Sequence, residues 1–281
     1  MPGVKTGMSE QKTISFLHSG EMGDIVASMA TVKEICEREN AKAVVYLDTT
    51  GGLESNAEPE VNALMVKQTN GKGCRFSANY LEFLKPLLEV QPYVAEVREH
   101  IPGSPVDYNL NWFRLCVLDP DMAKRTGTNL VFEHQLTAGL EPGYKGPWLT
   151  VGNIEVEPKH KYLVCRSTRY QSGHGFISSL EKLIMNNGGS ESAFMGTEFE
   201  HEVFRNCFGW VPKRIPIKNA LDAAVEITAS KTFVANGTLF YWIAVGLGHR
   251  SILHELGVDI LATHFPGRPP FVRYFMGSKF I

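Results

Sequence analysis

No apolar run in this chain reaches the roughly 18 residues that a membrane-spanning helix needs. The longest candidate, Leu239 to Leu247, is about half that length. The first residues, Met1-Pro2-Gly3-Val4-Lys5, lack an apolar signal core and read as a disordered leader. Cysteine is sparse. Cys36, Cys74, Cys116, Cys165 and Cys207 are odd in number and far apart, and no C-x-x-C occurs. Neither a zinc knuckle nor a disulfide framework is indicated, so the expected setting is the reducing cytoplasm. An excess of charge is missing as well: the formal net charge is -2, which gives no global pull toward nucleic acid. There is no G-x-G-x-x-G, so a nicotinamide cofactor is not expected. His174, His201 and His249 have no metal-ligand spacing, and no metal site is expected. Asp119-Pro120-Asp121 matches a D-x-D metal motif but reads as a turn.

What is present is a globular composition, 43% hydrophobic and 21% charged over 281 residues. That suits one large domain or two of modest size. Thr13 to Leu17 reads as a strand and is followed by a Gly loop. Ile25, Met29, Val32 and Cys36 then form one apolar helix face, and Ala43 to Leu47 is a second strand. This is a βαβ unit. Residues 53 to 76 read as a mobile loop at a cleft. A helix is expected over 80–90, short strands over 94–97 and 106–110, and a helix over 129–140. Glu141 to Lys161 is punctuated by Pro and Gly and reads as a linker. The alternation then restarts. Strands are expected at 162–165, 192–195, 232–235 and 251–253, with helices at 176–187, 198–207, 219–229 and 239–247. Two such series predict two Rossmann-like α/β domains facing across a cleft, 1–150 and 151–281.

In such sheets ligands bind at the carboxyl ends of strands. Four loops there carry candidate chemistry. The first is Gly20-Glu21-Met22-Gly23-Asp24, where Asp24 either caps a helix or acts as a base. The second is Arg166-Ser167-Thr168-Arg169, whose guanidiniums and hydroxyls suit a phosphate. The third is Gly196-Thr197-Glu198-Phe199-Glu200, where the acids either cap a helix or hold a ribose diol. The fourth is Asn236-Gly237-Thr238, at the start of a buried apolar helix and suited to an anion. Three of the four lie in the second half and would form a nucleotide-diphosphate site.

Gly23-Asp24-Ile25-Val26 resembles the N-terminal motif of the heptosyltransferase-like glycosyltransferases. The stretches at 194–200 and 233–247, with Pro147-Trp148-Leu149 between the halves, are similar to that family's in order and spacing. The resemblance implies the GT-B fold, Asp24 as general base, and a nucleotide sugar bound at 166–169, 196–200 and 236–238. UDP, GDP and ADP donors are all open, and no metal is implied. The likeness extends to compact, often phage-encoded members, some of which glycosylate hydroxymethylated pyrimidines in DNA. The family typically carries Asp-Thr-Gly and then a histidine in its last motif. This chain has Asn236-Gly237-Thr238 and Tyr241 there, which argues against ADP-heptose. The implied function is an inverting, metal-independent glycosyl transfer, with the acceptor leaning to a hydroxymethylated base. The basic tail from Arg268 to Tyr274 and the Gly71-Lys72-Gly73 loop would then face DNA. The alternatives are a surface-glycan acceptor and a non-catalytic nucleotide-binding protein.

Overall fold

A computed structural model describes residues 11–49, 77–168, 174–186, 189–256, 263–265, 269–276 and 279–280. The loop expected over 53–76, Arg169 and Arg268 lie outside these residues.

The first half builds a four-stranded parallel sheet in the order β3-β2-β1-β4. Its strands are β1 (Thr13–His18), β2 (Lys42–Leu47), β3 (Val94–Glu99) and β4 (Tyr108–Asn109). Helix α1 (Met22–Glu39) buries Ile25, Met29, Val32 and Cys36, the apolar face read from the sequence. It ends at Asn40, which adopts a left-handed conformation and donates its amide to Glu37. Helix α2 (Ala78–Glu89) precedes β3.

The strand expected over 106–110 shrinks to two residues. The Asn109 side chain accepts the Asn111 amide and turns the chain into a 3-10 helix over Leu110–Val117. Helix α3 (Pro120–Thr126) follows, capped by Asp119, which accepts the amides of Asp121 and Met122. The D-x-D match is therefore a helix start. Helix α4 (Leu130–Thr137) is capped by Asn129 and packs against α1 and the 3-10 segment.

The second half forms a seven-stranded sheet in the order β11-β10-β9-β8-β5-β6-β7, parallel except for β11. The strands are β5 (His160–Cys165), β6 (Ser192–Met195), β7 (Lys213–Ile215), β8 (Ser230–Asn236), β9 (Ile252–Glu255), β10 (Val272–Met276) and β11 (Lys279–Phe280). Its helices are α5 (His174–Met185), α6 (Glu198–Cys207), α7 (Ala220–Thr228) and α8 (Leu239–Gly246). Strands β7, β10 and β11 were not expected from the sequence. The basic tail thus supplies sheet strands, with Arg273 exposed on β10.

Both sheets reverse direction beside their first strand, between β1 and β4 in one and between β5 and β8 in the other. Such a switch point opens a crevice at the carboxyl ends of the two strands. The halves pack together through α1 on α8 and α2 on α7. The linker lies in this contact. Trp148 is buried, donates its indole N–H to the Val26 carbonyl (3.0 Å) and its amide to Gly246 (2.8 Å).

Candidate active site

The first switch point is crowded with polar groups. The Asn111 side-chain oxygen accepts both the amide and the hydroxyl of Ser19, each at 2.9 Å, which ties the end of β1 to the segment after β4. Glu21 caps α1 without a side-chain bond, and Met22 packs on the core as the first helical residue. Asp24 lies within the first turn and accepts the Glu21 amide. It is not the cap itself. Its carboxylate accepts from Arg114 Nη2 at 3.1 Å, with the two side chains only 15% and 11% exposed. Burial raises the Asp24 pKa, and Arg114 only partly offsets the rise. A carboxylate so placed is a stronger base than one in water, yet Arg114 keeps it ionisable.

Arg114 itself is underused. Its Nε is buried with no hydrogen-bond partner among the described residues, and its guanidinium carbon lies 4.5 Å from the Phe113 ring centre. Glu133 of α4 is buried in the same field. Desolvation and the Asp24 charge push its carboxyl up to about 8. Two carboxylates around one guanidinium cannot both ionise at little cost, and Glu133 is the one that keeps its proton.

The glycines of the first loop act by close approach. A Cβ on Gly20 would lie 2.6 Å from His18 Cε1 and 3.0 Å from Asp24 Oδ2. On Gly23 it would lie 3.2 Å from Trp242 Cδ1 and 3.7 Å from the Leu239 backbone. Gly23 is thus where the two halves of the site meet, the start of α1 against the start of α8.

The second switch point differs. Arg166 is buried and its Nε and Nη2 donate to the Glu255 carboxylate at 2.7 and 3.0 Å. The phosphate-ligand role expected for Arg166 meets a structural one: it joins the ends of β5 and β9, and its charge is already balanced. Asn236 is fully buried. Its amide pairs with the Ser167 backbone in both directions, Nδ2 donating at 3.0 Å and Oδ1 accepting at 3.1 Å. Thr168 is exposed.

Thr197 and Glu200 form a complete capping box at the start of α6. Glu200 Oε2 accepts the Thr197 amide at 2.8 Å and its hydroxyl at 2.9 Å. Of the two roles open to Glu200, the geometry displays the capping one. A Cβ on Gly196 would meet Phe194 Cε1 at 2.8 Å, so this glycine is also fixed by packing. Glu198 points to solvent, 3.8 Å from Arg214. Gly237 and Thr238 open α8 without a side-chain cap bond, and Thr238 Oγ1 is buried without a hydrogen bond among the described residues. Tyr241 is buried on the next turn, stacked on His254 at 3.9 Å, with its hydroxyl on the Thr263 carbonyl.

The sequence singles out Asp24 but not the groups the structure gathers around it, Arg114, Asn111, His18, Glu133 and His134. The available signal was Asn109-Leu110-Asn111, polar residues breaking an apolar run where a strand ends. No cluster of side chains suited to a metal ion occurs among the described residues, and no described helix is long and apolar enough to cross a membrane.

No family model and no curated protein matches the chain by sequence. Solved structures match it by fold. A glycosyl transferase of family 9 from Veillonella parvula aligns over 94% of this chain and 86% of its own, with a TM-score of 0.56 and 8% identity. The E. coli heptosyltransferase WaaC, solved with ADP-2-deoxy-2-fluoro heptose, aligns over 94% and 93%, with a TM-score of 0.50 and 12% identity. The iron-containing dodecameric glycosyltransferase TibC from enterotoxigenic E. coli aligns over 93% of this chain and 62% of its own, with a TM-score of 0.53 and 10% identity. The two-sheet arrangement of this chain is the GT-B fold of these glycosyltransferases.

Proposed function

We propose that this chain is an inverting glycosyltransferase that moves a sugar from a nucleoside-diphosphate sugar to an acceptor hydroxyl. One observation carries the reading. Asp24, paired to Arg114 at one switch point, is brought by Gly23 against the start of α8 at the other. Heptosyltransferase WaaC, which has this fold, was solved with ADP.

In the proposed step Asp24 accepts the proton of the acceptor hydroxyl. The acceptor oxygen bonds to the anomeric carbon while the bond from that carbon to phosphate oxygen breaks. The nucleoside diphosphate leaves with the bonding pair. Its growing charge falls at the start of α8, where amides without helical partners and the helix dipole favour an anion. With Arg166 already paired to Glu255, backbone groups at Gly237 to Leu239 are assigned the larger share of that work. This route needs no metal.

The acceptor reading is a 5-hydroxymethylpyrimidine in DNA. It rests on the basic tail, of which Arg273 is exposed, and on the family resemblance. The base would have to leave the duplex to reach a buried carboxylate.

The test is a thermal-shift screen with UDP, GDP, ADP and CDP, followed by turnover of the sugar of whichever binds. A ligand at about 100 times its dissociation constant stabilises by about 2.7 kcal/mol. Asp24→Asn is expected to keep donor binding and to lose about 10²–10⁴-fold in transfer. Full transfer by that variant defeats the base assignment, and no shift with any nucleotide defeats the donor site. Hydroxymethylated DNA and a bacterial surface glycan are then compared as acceptors.

A further inference from the structure

Behind the loop that carries Asp24 lie two histidines that the reaction above does not use. His18 is the last residue of β1 and His134 sits on α4; both are buried. Their Nε2 atoms are 3.0 Å apart. His18 Nδ1 is 2.9 Å from the Gly20 amide nitrogen, and His134 Nδ1 is 2.7 Å from the Leu130 carbonyl oxygen.

Counting donors fixes every proton in this chain. The Gly20 amide can only donate, so His18 Nδ1 must accept. A neutral His18 then carries its proton on Nε2 and donates it to His134 Nε2. That leaves the His134 proton on Nδ1, where it meets the Leu130 carbonyl, which can only accept. The hydrogen bonds run one way: Gly20 to His18 to His134 to Leu130. A second proton on either ring would set two donors face to face.

The hydrogen-bond chain reaches the base through Gly20. A Cβ added there would lie 2.6 Å from His18 Cε1 on one side and 3.0 Å from Asp24 Oδ2 on the other. Phe113 stacks on His134 with ring centres 4.2 Å apart, and its neighbour Arg114 holds Asp24. A tilt of either imidazole therefore shifts the loop, the carboxylate or the guanidinium that orients it.

We propose that His18 and His134 are positioning residues: as a neutral pair of opposite tautomers they hold the Gly20 amide and so fix the loop that presents Asp24. The catalytic part of this statement rests on the reading of Asp24 as base; the hydrogen-bond chain does not. The charged group acting on both rings is Arg114 from the 3-10 segment, which in turn acts on Asp24 from the start of α1 and Glu133 from α4. Burial and the nearby Arg114 both disfavour a charged ring, and His134 is pushed down to about 3.

The test begins with ¹⁵N spectra of the imidazoles in the full chain. At pH 5, where a histidine in water is mostly protonated, His18 is expected to remain neutral with its proton on Nε2, and His134 neutral with its proton on Nδ1. Titration of both near 6.5, or a shared tautomer, overturns the proposal without touching the transferase reading. The second measurement compares His134→Leu, which removes the acceptor for His18, with His134→Gln, whose side-chain oxygen can replace it. His134→Leu is expected to lose the Gly20 amide's protection from hydrogen exchange. It should also lower kcat by tenfold to a hundredfold at an unchanged donor KM, as a displaced base would. His134→Gln should restore most of both. If His134→Leu fails to fold, recovery in His134→Gln and the tautomer spectra still decide. Loss of thermal stability in both variants with kcat and Gly20 protection intact would reduce the pair to packing.

Discussion

The two switch points are alike in topology and opposite in chemistry. At the second, Arg166, Asn236, Thr197 and Glu200 are each engaged locally. Arg166 is neutralised by Glu255, Asn236 is spliced to Ser167, and Glu200 closes a capping box. At the first, the charges are buried and incompletely matched: Asp24 and Glu133 compete for one Arg114, whose Nε has no described partner. One wall uses its polar groups to hold shape. The other keeps reactive groups at raised energy. Residue type alone did not separate these uses, because an arginine after a strand looks the same whether it binds phosphate or a carboxylate.

Asp24→Asn, already described, should have the largest effect on transfer and a small one on donor binding. At the second wall the expected effect is on stability instead. Arg166→Ala removes the guanidinium that pairs with the buried Glu255 carboxylate and should cost about 3–5 kcal/mol of stability, read from the denaturant midpoint. If Arg166→Ala instead keeps its midpoint and loses nucleotide affinity, Arg166 is a phosphate ligand and the contrast collapses. Gly196→Ala forces a methyl against Phe194 and should cost about 1–3 kcal/mol.

The pH response should also split. Glu133 has a raised pKa in the folded chain, so its stabilising contribution is complete below the ordinary carboxylate range and fades as pH climbs to about 8. Glu133→Gln should therefore gain on the parent above pH 8, in midpoints measured from pH 5 to 9. His134 has a lowered value, so its contribution is complete above about 6.5 and is lost as pH falls toward 3. Smallest of all, Glu200→Ala should cost about 1 kcal/mol by opening the capping box, with transfer unchanged.

Much of the frame was legible because it is written in local patterns. The apolar spacing of α1 and the Pro- and Gly-rich linker each act over a few residues. What escaped acts at long range. Arg114 meets Asp24 across 90 residues and Arg166 meets Glu255 across 89, and no spacing rule encodes such pairs. The 3-10 segment escaped because a side chain, Asn109, ended its strand early. Strands β7 and β10 escaped because they are completed by neighbours, not by alternation of their own. At the site, the glycines and Asp24 could be read as a motif, but the ring of partners that tunes Asp24 could not.

Trp148 touches both halves of the site through their helices, the carbonyl of Val26 near the start of α1 and that of Gly246 at the end of α8. Asp24 lies in the first turn of one and Thr238 caps the other. The linker is thus a gauge block: its length and the bulk of one indole set the width of the gap between the starts of α1 and α8. Evolution or design could retune the width at residues 147 to 149 while leaving each wall intact.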